Sequence, residues 1–149
     1  MKKIISAITI IIITISISTS FVSALKSGVT TIQFYNEGKE FSTDYEIIEG
    51  RTLIPLRMLE KEFNMKIQWD GLNKIITISK YNMYVQFQLN NKCVFINGNE
   101  NGYTMDIPPM IIDNRSYVPL RVVSEIFGKE INYLNKNGKK KIEIFTRGY

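Results

Sequence analysis

Histidine is absent from all 149 residues, and that absence excludes more chemistry than any other feature of the chain. Ser-His-Asp triads, Cys–His dyads and the common zinc and copper sites all require imidazole. Cysteine occurs once, as Cys93, so neither an intramolecular disulfide nor a thiolate metal cage can form, and stability must come from the core. No G-x-x-x-x-G-K-[ST] loop and no G-x-G-x-x-G fingerprint is present, which leaves nucleotide binding without support. A strong excess of either charge is lacking too. The whole chain carries +5, but two of its 19 basic residues are Lys2 and Lys3; beyond them the balance is 17 − 14 = +3. So mild an excess implies solubility and weak attraction to anionic surfaces rather than nucleic-acid binding.

What the N-terminus does contain reads as an export signal. Lys2 and Lys3 form a positive n-region, residues 4–24 carry no charge, and Val22-Ser23-Ala24 places small or short side chains where a signal peptidase reads. Cleavage after Ala24 is expected. The alternative is an uncleaved anchor, because 21 uncharged residues approach the ~20 that span a bilayer, although scattered Ser and Thr weaken it. The protein is therefore expected to be secreted or attached to the cell surface. Past Ala24 no apolar run is long enough to cross a membrane.

The rest of the chain repeats itself. Gly50-Arg51-Thr52-Leu53-Ile54-Pro55-Leu56-Arg57 is echoed by Asn114-Arg115-Ser116-Tyr117-Val118-Pro119-Leu120-Arg121, at a constant offset of 115 − 51 = 64. Phe63 then aligns with Phe127, Ile67 with Ile131 and Trp69 with Tyr133; Ile76-Thr77-Ile78 aligns with Ile142-Glu143-Ile144 after a two-residue slip. Internal repetition of this kind sets the domain plan: a signal over 1–24, a first unit over 25–80 and a second over 81–149.

Within each unit, short β-branched and aromatic runs alternate with turn residues. Residues 30–41 read as one hairpin; 45–54 and 110–118 read as hairpins turning at Glu49-Gly50 and Asp113-Asn114. Pro55 and Pro119 are placed at first helical positions. Leu56, Leu59 and Phe63, matched by Leu120, Val123 and Phe127, form the buried stripe of a short helix ended by Asn64 or Gly128. A further hairpin follows each helix, and strands over 84–89 and 93–96 lie between the halves, with a turn at Asn97-Gly98. The predicted class is α+β: two repeated units of short antiparallel strands, each wrapped around one short helix, with no crossover long enough for a parallel sheet.

These residues resemble the copper amine oxidase N-terminal domain-like family, the stalk-domain proteins exported by many Gram-positive bacteria. The likeness rests on G-R-T-L-I-P-L-R, the short helix and I-Q-W-D-G-x-x-K-x-I-T-I of the first copy. In the second copy it rests on Val94-Phe95-Ile96-Asn97-Gly98, Ile107-Pro108-Pro109-Met110-Ile111-Ile112, Val118-Pro119-Leu120-Arg121 and Ser124-Glu125-Ile126-Phe127-Gly128. The first copy departs from the pattern at Tyr45-Glu46, where the second has its proline pair, and Tyr133 replaces a usual tryptophan. The resemblance implies an antiparallel sheet around a helix and little chemistry. The oxidases bind copper through histidines and use a modified tyrosine, and the stalk domain lies away from that site. A chain without histidine inherits no copper chemistry from it, so no cofactor and no metal are expected.

Four arginines are the sharpest candidates. Arg57 and Arg121 fall in first helical turns, where the macrodipole disfavours positive charge. Either each is a guanidinium fork holding backbone carbonyls or a carboxylate such as Glu60 or Glu125, or the two are presented to an anionic ligand; repetition in both copies favours the fork. Arg51 and Arg115, beside turns, are expected to be exposed. Trp69 and Tyr133 can stack on sugar rings or pack across strands. Asp70, Asp106 and Asp113 read as turn residues, and Lys136, Lys139, Lys140 and Lys141 as a solvated basic hairpin or a contact for anionic wall polymers. The functional expectation is an exported, non-catalytic cell-envelope module that binds wall polymer or an envelope protein. The alternatives are a self-associating structural spacer and a small hydrolase with an unrecognised carboxylate site.

Overall fold

The computed structural model describes residues 32–146. The expected export signal and its cleavage point lie outside the described residues. In chain order the elements are β1 (Ile32–Asn36), β2 (Lys39–Phe41), β3 (Glu46–Ile48), β4 (Arg51–Pro55), α1 (Arg57–Phe63), β5 (Lys66–Asp70), β6 (Ile75–Lys80), β7 (Met83–Gln88), β8 (Cys93–Ile96), β9 (Asn99–Thr104), β10 (Met110–Ile112), β11 (Arg115–Pro119), α2 (Leu120–Ile126), β12 (Lys129–Lys136) and β13 (Lys139–Thr146). Strands predominate and two short helices accompany them, an α+β composition.

The strands form three sheets, ordered β12-β13-β1-β2, β10-β11-β4-β3 and β5-β6-β7-β8-β9. One pairing corrects the all-antiparallel expectation. β1 runs parallel to β13, with Ile32 opposite Lys140 and Asn36 opposite Ile144. A parallel pair needs a long connection between its strands. Here nearly the whole described chain is that connection, because the two strands stand at its opposite ends.

The central pairing joins the two halves. β4 and β11 are antiparallel, with Ile54 opposite Val118, Leu53 opposite Pro119 and Pro55 opposite Tyr117. Ile54 and Val118 are 64 residues apart, so the register exchanges equivalent positions about a local two-fold axis. Alternation then sends Ile54 and Val118 to the main core, and Leu53 and Tyr117 to a smaller cluster with Ile107 on the other face. The main core takes side chains from all three sheets and both helices, including Phe34, Leu59, Phe63, Val85, Phe87 and Ile144.

Turn chemistry sets the hairpins. Glu37-Gly38, Glu49-Gly50, Asn97-Gly98, Asp113-Asn114 and Asn137-Gly138 each have two successive positive φ angles, the condition for the hairpin turn whose twist matches its strands. Gly98 is additionally constrained, since a Cβ there would lie 2.8 Å from the Tyr84 hydroxyl. Asp70 acts as a turn residue: its carboxylate accepts from the backbone N–H groups of Leu72 and Asn73 and from the Asn73 side chain, which lowers its pKa. The strand β9, rich in Asn and without alternating apolar residues, is the return of the Asn97-Gly98 hairpin; it closes the five-stranded sheet beyond an irregular register at Val94 and Phe95.

The helix starts differ from expectation. Pro55 and Pro119 end β4 and β11 rather than occupying first helical positions. Both are still paired within the sheet, and the Leu56 N–H continues the ladder by donating to the Ser116 carbonyl at 2.8 Å. α1 therefore begins at Arg57. Asn64 caps it in the left-handed region at φ 52°, and Gly128 follows α2 at φ 71°. Leu59, Phe63, Leu120 and Val123 are buried as expected, whereas Leu56 and Phe127 are only partly covered.

Candidate functional site

A groove of about 630 Å³ is built from both halves. One wall is the β4–α1 junction, Pro55 to Met58, with Ile67 of β5 beside it. The other is the start of β11, Asn114 to Ser116, and the rim is the Ser42–Asp44 loop. The β4–β11 pairing brings these segments together, so no single copy can form the groove alone. Apolar atoms of Pro55, Leu56 and Ile67 adjoin hydroxyls of Ser42, Thr43 and Ser116, the Asn114 amide, and the charged groups of Arg57, Glu60, Asp44 and Arg115.

Arg115 is committed. Its Nη1 donates to Asp44 Oδ2 at 2.6 Å. Arg51, its equivalent, does the same in reverse, reaching Asp106 Oδ2 through Nε at 2.7 Å and Nη2 at 2.5 Å. Each arginine thus holds an aspartate of the other half. The aspartates precede Tyr45 and Ile107 at an offset of 106 − 44 = 62, the sequence signal that would have revealed them. These pairs are exposed, with side-chain accessibilities of 42% and 68% for Arg51 and Asp106, and 63% and 68% for Arg115 and Asp44. Arg51→Ala and Arg115→Ala are accordingly expected to cost no more than ~1 kcal/mol each, measured by denaturant unfolding.

The fork expected of Arg57 and Arg121 is not observed. Both arginines are exposed, and among the described residues the Arg57 side chain makes no hydrogen bond, ion pair or ring contact. Arg121 instead lies over Tyr133, its guanidinium carbon 5.4 Å from the ring centroid. Glu125, the acid proposed for it, accepts from the Tyr103 hydroxyl at 3.1 Å. Burial raises the Tyr103 pKa, and this hydrogen bond raises it further.

Trp69 and Tyr133 are both about half exposed, at 47% and 45%, and Tyr84 and Tyr103 are partly exposed, whereas Tyr117 is buried in the smaller cluster. Trp69 stands two residues beyond Ile67 on β5, on the same face of that strand and at the sheet edge. The lysines of the last hairpin divide. Lys136, Lys139 and Lys140 are exposed, while Lys141 pairs with Glu143 and lies over the Tyr35 ring at 4.0 Å.

The profile of the copper amine oxidase N-terminal domain matches residues 33–142, most of the described chain. The chain belongs to that family. A comparison with curated proteins finds no match. In copper amine oxidases this N-terminal domain is a non-catalytic module. The residues of the present family member do not fit copper. Histidine is absent from the sequence, and among the described residues no three His, Cys, Asp or Glu side chains gather as a metal site.

Proposed function

We propose that this family member is an exported, non-catalytic cell-envelope module whose groove binds a wall polymer, an anionic, hydroxyl-rich glycan in particular. The observation that carries the reading is Arg57: a guanidinium without a protein partner, at the wall of a groove lined besides by hydroxyls, an amide, apolar atoms, Glu60 and the Arg115–Asp44 pair. Its planar fork suits a carboxylate or phosphate. The apolar atoms suit the faces of sugar rings, and Trp69 offers a stacking platform beside them. Asp44 and Glu60 are acceptors for sugar hydroxyls in this reading, with Asp44 already held by Arg115. Two repeated units supply the architecture, since the groove needs the β4–α1 segment of one and the β11 start of the other.

The test is retention on purified cell wall under a salt titration. Arg57→Ala should lower wall affinity about tenfold, the loss of one charge-assisted pair, and leave the melting temperature unchanged. Arg57→Lys should retain part of the binding and steepen its salt sensitivity. Wild-type retention in Arg57→Ala would refute the assignment of the groove.

A further inference from the structure

A second, much smaller concavity of about 30 Å³ lies at the opposite end of the β4–β11 pair. Part of its lining repeats that of the open groove, although Ser42, Thr43, Glu60 and Ile67 of the open groove have no counterpart in it. Arg51, Thr52, Pro119 and Arg121 stand where the open groove has Arg115, Ser116, Pro55 and Arg57, each pair 64 residues apart, and Asp106 replaces Asp44. The register of Ile54 against Val118 relates the two concavities. At the shared positions the two arginines differ in what they touch. Arg57 stands clear in the first, whereas Arg121 lies across the Tyr133 ring in the second.

We propose that this second concavity is a self-closed copy of the open groove, with the Arg121 guanidinium covering the face of Tyr133 on which a sugar ring would stack. Binding there moves Arg121 off the ring and onto the anionic group of the incoming sugar, so one residue serves as lid and as anchor. The closure stands on the geometry alone, while the ligand class rests on the function proposed above. An exposed cation–π contact is weak, and displacing it makes the second site roughly two- to fivefold weaker than a site of equal chemistry that stands open. The duplication then yields two sites of graded affinity, and a long polymer can engage both.

The experiment uses the full mature chain and hexagalacturonate, a soluble anionic oligosaccharide. Trp69, the single tryptophan, reports on the open groove by its emission. The Arg121 side-chain Nε–H resonance, assigned through Arg121→Lys, reports on the second site. In the free protein that resonance should be displaced by the ring current of Tyr133, and Tyr133→Leu should abolish the displacement. During titration Trp69 emission should respond first and the Arg121 resonance should move at roughly two- to fivefold higher concentration. Arg57→Ala should weaken the first response and spare the second. Lack of any ring-current displacement overturns the closure. An Arg121 resonance that stays fixed while Trp69 responds overturns the second site and leaves the proposed function standing. Silence from both overturns the ligand class for both grooves.

Discussion

Phe63→Ala should destabilise the protein by ~3–5 kcal/mol in denaturant unfolding, whereas Phe127→Ala should cost distinctly less, about 1–2 kcal/mol. Sequence position alone makes the two rings equivalents. The structure does not. Phe63 is 3% exposed and meets the Phe41 ring edge-on at 6.0 Å, and Phe41 in turn lies against Phe34. Removing Phe63 opens a cavity among groups contributed by three elements, which cannot all collapse into it. Phe127 caps α2 and is only partly covered, so water and neighbouring side chains fill its place. Equal losses for the two substitutions would mean that the core is as symmetric as the sequence.

Acid should weaken the fold through Glu37, and Lys129→Met should remove much of that sensitivity. Glu37 lies in the β1–β2 turn. Its Oε1 accepts from Lys129 Nζ at 2.6 Å and from the Thr146 hydroxyl at 2.5 Å, joining the β1–β2 hairpin to β12 and β13. The Lys129 hydrogen bond is the main reason that the Glu37 pKa falls below its ordinary value of 4.5, with Thr146 second. A depressed carboxylate pKa contributes stability that is complete above the unfolded value and disappears as pH falls through the folded one. Melting temperature should therefore begin to fall below about pH 4.5. Glu37→Ala leaves an ammonium that is only 10% exposed with the Thr146 hydroxyl, 3.4 Å away, in place of its carboxylate, and is expected to cost about 1–3 kcal/mol at neutral pH. Lys129→Met should come close to wild-type stability, because it substitutes an apolar chain of similar length for a buried charge. The first half already holds Met65, 4% exposed, at the corresponding position. A Lys129→Met protein that loses several kcal/mol would show that the ion pair, rather than the volume beneath it, secures β12.

Local chemistry was legible in the sequence wherever it depends on neighbours along the chain. Residue pairs such as Glu49-Gly50 and Asn97-Gly98 announce their hairpins, because few residues tolerate successive positive φ angles. Leu59, Phe63, Leu120 and Val123 announce their helices through period and spacing. The offset of 64 announces the duplication, and the missing histidines exclude whole classes of catalysis before any fold is known. Other features turned on contacts between distant segments. The β1–β13 parallel pair joins ends of the described chain that share no local signal. Pro55 and Pro119 suit a helix start as well as a strand end, and the cross-pairing of β4 with β11 selects the strand end. That choice releases Arg57 into a groove, while Tyr133 holds its counterpart Arg121. The sequence by itself determined two near-identical arginines. Only the tertiary structure decided that one is free and the other covered, because the groups that distinguish them come from strands remote in the chain.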